Sequence, residues 1–133
     1  MPLLSFSGKR PTNLGVTNGK LAPDPTTPNC VNSQSDNPQY KIDPLSYRSS
    51  LPEAKAKLKD VINGLERTKI IEETDDYLYA EFTTKLMGFV DDVEFLFDDN
   101  AKVIHVRSAS RLGQSDLGVN RKRIETIREK FKD

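Results

Sequence analysis

At 133 residues the chain is long enough for one domain and too short for two. Its 20 Lys plus Arg balance 20 Asp plus Glu, and its 35% hydrophobic residues exclude a fully disordered chain. A single cysteine excludes an intrachain disulfide. The sequence shows neither a signal-peptide core nor an apolar run that could span a bilayer, so we expect a soluble, cytoplasmic protein without a transmembrane segment.

The two signs of charge are segregated along the chain. Residues 71–100 hold ten acids and one base, whereas residues 101–133 hold nine bases and four acids. This split predicts that the basic segment folds back on the acidic one, so that most charges are answered internally. It also argues against a nucleic-acid partner, because the acidic half would repel phosphate and no basic-aromatic platform is present.

The first third of the chain is rich in residues that break regular structure. Seven of the eight prolines fall within residues 1–46, together with three glycines. We predict a flexible N-terminal arm over residues 1–20 and a single α+β domain over residues 21–133. Scattered apolar residues predict that residues 20–46 lie across the domain as an irregular strap.

The first helix has a clear start signal. Ser50 and Glu53 form a Ser-x-x-Glu capping box, with Pro52 in the first turn. Apolar residues then recur at helical spacing as far as Leu65, and Gly64 is a stop signal. The pattern predicts an amphipathic helix with one buried face.

Four strands are predicted to follow. Lys69–Glu73, Tyr77–Thr84, Val90–Phe97 and Val103–Ser110 are short runs rich in apolar residues, several of them alternating with polar ones. The connections between them are short, and Met87-Gly88 reads as a bend between two strands. We therefore expect an antiparallel sheet of about four strands in a two-layer arrangement, with one helix before the sheet and one after it.

The last helix is predicted from just after Gly113 to about Lys132, with Ser115 or Asp116 as its cap. Its apolar stripe is Leu117, Ile124, Ile127 and Phe131. One turn after Leu117 this stripe is interrupted by Asn120 and Arg121. Both polar groups are therefore expected to point at the sheet, where they need partners or a ligand.

Three motifs in this order resemble an uncharacterised bacterial family of domains of unknown function, DUF1499. They are Pro28–Ser33, Gly88–Phe95, and Arg107–Gly113 followed by Asp116–Glu125. The resemblance covers about residues 20–133 and implies no particular activity. It also implies a second cysteine just ahead of the Pro-Asn-Cys motif, which this chain lacks, and a two-cysteine redox or metal site is thereby disfavoured.

The polar residues of the C-terminal half support two interpretations. One is a buried ion-pair network that fixes the last helix on the sheet. The other is an anion site in which arginines, amides and hydroxyls bind a phosphate or carboxylate, while an aspartate orients an arginine. The candidate ligand-binding residues are Asp91, Arg107, Ser108, Arg111, Asn120 and Arg121, with Ser110 and Ser115 nearby.

Catalytic chemistry has fewer candidates. Cys30 as a nucleophile would need a base or a cation close by, and the only histidine is His105, inside a predicted strand. A single His and a single Cys provide too few ligands for a transition metal, and Asp91 and Asp92 should point to opposite faces of a strand, so no metal site or cofactor is expected. An enzyme dependent on Cys30 or on a carboxylate remains one alternative.

The interpretation that the sequence favours is a small binding module for an anionic metabolite or headgroup, with its cleft near the start of the last helix. The second is a structural or protein-interaction domain with a sealed Arg/Asp network. A solvent-accessible pocket beside the arginines would favour the first, and a sealed cluster would favour the second.

Overall fold

The structure is a computed structural model that describes residues 8–85, 88–113 and 116–132. These residues form six strands and two helices: β1 (Cys30–Asn32), β2 (Leu45–Ser46), α1 (Leu51–Asn63), β3 (Thr68–Glu73), β4 (Tyr77–Thr83), β5 (Val90–Asp98), β6 (Val103–Ser110) and α2 (Val119–Phe131). The α+β class and the antiparallel sheet predicted from the sequence are confirmed. No helix in the described ranges is long and apolar enough to cross a membrane.

The strands form one antiparallel sheet in the order β1-β6-β5-β4-β3, with β2 also paired to β6. The predicted meander corresponds to β3–β6. The sheet has two strands more than the four expected, because β1 and β2 come from the strap that was predicted to be irregular. Each is short and depends on β6, with Cys30 opposite Ala109 and Leu45 opposite Ile104. In the bend predicted at Met87-Gly88, Met87 lies outside the described residues.

Helix α1 begins and ends where the sequence predicts. The Ser50 side chain accepts a hydrogen bond from the Glu53 amide, which satisfies one of the free N–H groups at the helix start. Ala54, Leu58 and Ile62 lie on the side of the helix that faces the sheet, and they are buried there. The helix ends at Gly64.

Helix α2 begins later than predicted. Its N-cap is Gly118 in the left-handed conformation (φ 81°), and no side chain caps it from that position. The proposed cap Ser115 lies outside the described residues, whereas Asp116 accepts from the amides of Gly118 and Asn120 without being the N-cap. Leu117 precedes the helix and is 94% exposed, so its assignment to the apolar stripe is wrong.

Each face of the sheet is covered by a different part of the chain. The main core lies on the helix-side face, where β4, β5 and β6 contribute alternate residues such as Leu78, Phe95 and Val106. On the opposite face, Leu21 packs on a second cluster of Tyr77, Tyr79 and Leu96. From here on, N-terminal arm means residues 8–24, which differ in extent from the arm predicted over residues 1–20, and the surface that they cover is the arm-side face. The boundary predicted at residue 20 stays a prediction.

Candidate functional site

Strand β5 carries three buried carboxylates, and each of them faces an arginine of the basic C-terminal segment. Asp91 points to the helix side, whereas Asp92 and Glu94 point to the arm side, because successive residues of a strand alternate between faces. Their arginines are Arg123 at 2.7 Å, Arg111 at 2.8 Å and Arg107 at 4.0 Å, respectively. The internal pairing that the charge split predicts is therefore present.

The helix-side cluster is centred on Asn120, which is fully buried. Its side-chain oxygen accepts from Ser108 Oγ (2.6 Å) and from Arg123 Nη1 (2.8 Å). Its amide nitrogen donates to Ser110 Oγ (2.9 Å), to the Asn29 carbonyl (3.1 Å) and to Asp116 Oδ2 (2.7 Å). Both polar atoms of the Asn120 side chain are thus hydrogen-bonded to other groups of the protein.

The pKa of Asp116 reflects this arrangement. Partial burial favours the neutral acid and would raise the pKa. The hydrogen bonds from Asn120 and from the Gly118 amide favour the carboxylate and outweigh burial, so the pKa lies below its usual value.

The expectation for Arg121 is wrong. This residue is exposed, and its guanidinium donates to the carbonyls of Lys41 (2.9 Å) and Gln39 (3.4 Å). Arg123 occupies the inward position instead, where it pairs with Asp91 and lies over the Phe82 ring. Because Asn120 and Arg123 are three residues apart, they share one face of the helix, a spacing that could have identified Arg123 from the sequence.

Arg111 is saturated by acceptors on the arm-side face. Its Nε and Nη2 bond the two oxygens of Asp92 at 2.9 and 2.8 Å, and Nη2 also contacts Glu81 at 2.5 Å. Tyr79 donates to the same Asp92 carboxylate. The hydrogen bond to Asp92 holds the pKa of Arg111 above its ordinary value, and only 7% of this side chain is exposed. The arm closes the group, since Arg10 bonds Glu81 at 2.7 Å.

The Glu94–Arg107 pair is different because it is not saturated. Glu94 Oε2 accepts from the Tyr77 hydroxyl (2.5 Å) and from the Gly15 amide of the arm (2.7 Å). Arg107 Nη2 donates to the Pro23 carbonyl of the arm (3.2 Å). Among the described residues, neither Glu94 Oε1 nor Arg107 Nε has a hydrogen-bond partner. Asp91 Oδ2 also lacks one, but it lies 2.7 Å from Arg123 Nη2, so its charge is closely paired. The Glu94 and Arg107 side chains are only 0% and 6% exposed.

Burial also governs the charge state of Glu94. It raises the pKa of this carboxyl, and the hydrogen bonds from Tyr77 and Gly15 and the charge of Arg107 offset the rise only in part. An ionised Glu94 is therefore held at a free-energy cost, which a donor at Oε1 would reduce.

A cavity of about 760 Å³ lies between the N-terminal arm and residues 32–37, and neither Glu94 nor Arg107 is among the residues that line it. Two of its lining residues, Gly15 and Pro23, contact Glu94 and Arg107 directly. A third, Asn32, is paired with Arg107 across β1 and β6. The charged residues of the lining are Lys20, Asp24 and Asp36.

The catalytic candidates do not meet. Cys30 faces Ala109 in the register of β1 and β6, four residues from His105, or about 13 Å along the strand. Burial raises the pKa of the Cys30 thiol to about 11, which disfavours the thiolate. His105 lies near Ser33 (Nδ1 to Oγ 3.3 Å), and burial lowers its pKa. Within the described ranges, no group of three or more His, Cys, Asp or Glu residues could hold a metal ion.

The six predicted ligand-binding residues are thus divided among three places. Asp91, Ser108 and Asn120 lie together on the helix side, Arg107 and Arg111 lie on the arm side, and Arg121 lies at the surface. Strand alternation causes the division, since odd-numbered and even-numbered residues of β6 face opposite ways. Residues missing from that set are Tyr77, Tyr79, Glu94 and Arg123, and the same alternation would have grouped Tyr77, Tyr79 and Glu94 with Arg107.

Comparison with known proteins gives a family without an activity. No curated protein and no solved structure matches this sequence. The family model described as "Protein of unknown function (DUF1499)" matches residues 20–131, which is most of the chain. The protein therefore belongs to the DUF1499 family.

Proposed function

We propose that the protein is a small binding module that takes an anionic ligand at Arg107, beneath the N-terminal arm. The observation that supports this function is the unsaturated Glu94–Arg107 pair. Arg107 is a buried guanidinium whose carboxylate neighbour is 4.0 Å away, beyond hydrogen-bonding distance, and whose Nε has no partner among the described residues.

The energetics favour a ligand at this arginine over the others. A buried guanidinium without full hydrogen bonding costs several kcal/mol, and an anion bound to it would recover part of that cost. Arg111 offers no such gain, because Asp92 and Glu81 already occupy it. Arg123 is likewise paired with Asp91 and Asn120.

Access to Arg107 depends on the arm. The polar contacts of the arm with the pair are made by its backbone, through the Gly15 amide and the Pro23 carbonyl. A ligand carboxylate or phosphate could replace the Pro23 carbonyl as an acceptor for Arg107. The adjacent cavity of about 760 Å³ falls within the range of small-molecule sites, roughly 300–1,000 Å³.

The test is a thermal-shift and calorimetric screen with acetate, succinate, malate and inorganic phosphate. An anion at 100 times its dissociation constant should stabilise the fold by about 2.7 kcal/mol, which raises Tm by roughly 8 °C. Arg107→Met should abolish the shift. Arg121→Met, which removes an exposed arginine, is the matched control and should retain it.

A second function is favoured by two close ion pairs on the sheet. Asp91–Arg123 and Asp92–Arg111 behave as internal ion pairs, as in a structural domain. If Arg107 has the same role, no anion in the screen will change Tm, and Arg107→Met will be less stable than the parent, because it leaves the buried Glu94 without its counterion. That result would overturn the binding proposal.

A further inference from the structure

We propose that the ligand is a small carboxylic acid that carries a hydroxyl or amine next to its carboxylate. This inference rests on the proposed function and adds the chemical class of the ligand. It comes from the opposite needs of two neighbouring atoms: Arg107 Nε lacks an acceptor and Glu94 Oε1 lacks a donor among the described residues.

An anion with acceptors alone would satisfy only half of this site. It would bond Arg107, but its charge would lie beside the Glu94 carboxylate, whose Oε1 is 4.0 Å from Arg107 Nη1. Like charges at such a separation repel strongly in a buried site. Inorganic phosphate, in its dianionic form, and simple carboxylates are therefore poor matches.

A hydroxyl or amine on the carbon next to the carboxylate removes this conflict. The carboxylate would accept from Arg107 while the neighbouring group donates to Glu94 Oε1. Only Oε1 is available, because Oε2 already accepts from Tyr77 and Gly15. The site therefore calls for one donor beside one carboxylate.

Within the part of the chain that the structure describes, the surrounding groups do not supply that donor. The Asn32 amide, on the strand next to Arg107, donates to the Ala22 carbonyl and to Asp24 Oδ1, both at 3.3 Å. The Tyr77 hydroxyl donates to Oε2. In the site we propose, the ligand supplies the donor for Oε1, and the cavity between the arm and residues 32–37 would take the rest of the molecule.

Matched pairs of acids test the inference by calorimetry: malate against succinate, lactate against propionate, and alanine against propionate. In the parent protein the hydroxy or amino acid should bind at least about tenfold tighter than its partner, because a site built to bond a donor discriminates against the analogue that lacks it. Glu94→Gln should reduce this ratio to about one. Glu72→Gln, which changes an exposed glutamate on edge strand β3, should leave it unchanged.

The outcomes separate this inference from the function on which it rests. If both members of each pair bind the parent equally, the donor requirement is wrong while anion binding at Arg107 stands. If the hydroxy or amino acid still binds Glu94→Gln much more tightly than its partner does, Glu94 does not accept the hydrogen bond from the ligand and the inference is wrong. If no acid binds, the proposed function itself fails. Should Glu94→Gln not fold, the ratio in the parent protein still decides.

Discussion

The substitution Asn120→Leu tests how much the buried polar network between α2 and the sheet contributes to stability. Leucine has the same number and branching of side-chain heavy atoms as asparagine, so the substitution removes hydrogen bonds without opening a cavity. The Asn120 side chain has hydrogen-bonding contacts with five residues, Asn29, Ser108, Ser110, Asp116 and Arg123, and its amide nitrogen shares two hydrogens among three of these acceptors. All five contacts are lost in the variant.

The size of the effect follows from what the partners keep. Two shared hydrogens and two accepted bonds amount to about four full hydrogen bonds, so at about 1 kcal/mol for each the loss would be about 4 kcal/mol. Two partners retain another donor, since the Asn29 carbonyl accepts from the Ser110 amide and Asp116 Oδ2 accepts from the Asn120 backbone amide. We therefore expect the free energy of unfolding to fall by about 3 kcal/mol and Tm by roughly 10 °C.

Urea denaturation followed by far-UV circular dichroism measures this change, with Arg121→Leu as the control on the neighbouring residue. Arg121 is exposed and bonds only two backbone carbonyls, so its substitution should change the free energy of unfolding by no more than about 0.5 kcal/mol. The account of α2 fails if Asn120→Leu is as stable as the parent, or if the two variants lose similar stability.

Three other outcomes are expected. Arg111→Lys should lower the free energy of unfolding, measured in urea, by about 2–3 kcal/mol, because lysine cannot bond both oxygens of Asp92. Unchanged stability would contradict the bidentate contact. The Cys30 thiol should react with a disulfide reagent at pH 8 about a hundredfold slower than free cysteine until urea unfolds the chain, because burial raises its pKa to about 11. Because the pKa of Asp116 is lowered in the folded state, this residue contributes stability above its unfolded-state pKa, and the contribution is lost as pH falls through its folded-state pKa. Asp116→Asn should therefore lose less stability than the parent between pH 5 and pH 2, as measured by urea denaturation.

The parts of the fold that the sequence predicts are those with local signals. The capping box fixed the start of α1, and alternation along β4 and β5 identified the strands and the faces of their residues. Strands β1 and β2 are three and two residues long, too short to show alternation. They form because β6 offers them partners more than fifty residues away in the chain, a contact that local pattern does not contain.

The candidate site was harder to predict because Leu117 was wrongly assigned to the last helix. This error changed the side of the helix on which the following residues were expected. Counting from Leu117 places Asn120 and Arg121 inward, but Leu117 lies outside α2 with φ 54° and therefore does not set its phase. Counting from Asn120 places Arg123, Ile124 and Ile127 toward the sheet. Asn120 was thus predicted correctly as an inward group, and the wrong arginine was assigned beside it.

The 4.0 Å separation between Glu94 and Arg107 needs a separate explanation. The two residues are directly opposite each other across β5 and β6, where side chains on one face come within reach, so a tight ion pair is geometrically available. The same face holds Arg111 and Asp92 at 2.8 Å, so the fold can bring an arginine and a carboxylate together there. Instead Arg107 donates to the arm at Pro23, and its Nη1 stays 4.0 Å from Glu94. A chain that needed Arg107 only as a counterion would gain stability by closing that distance. The binding function that we propose gives a reason for the distance, because a ligand between the arm and the sheet needs both groups unsaturated.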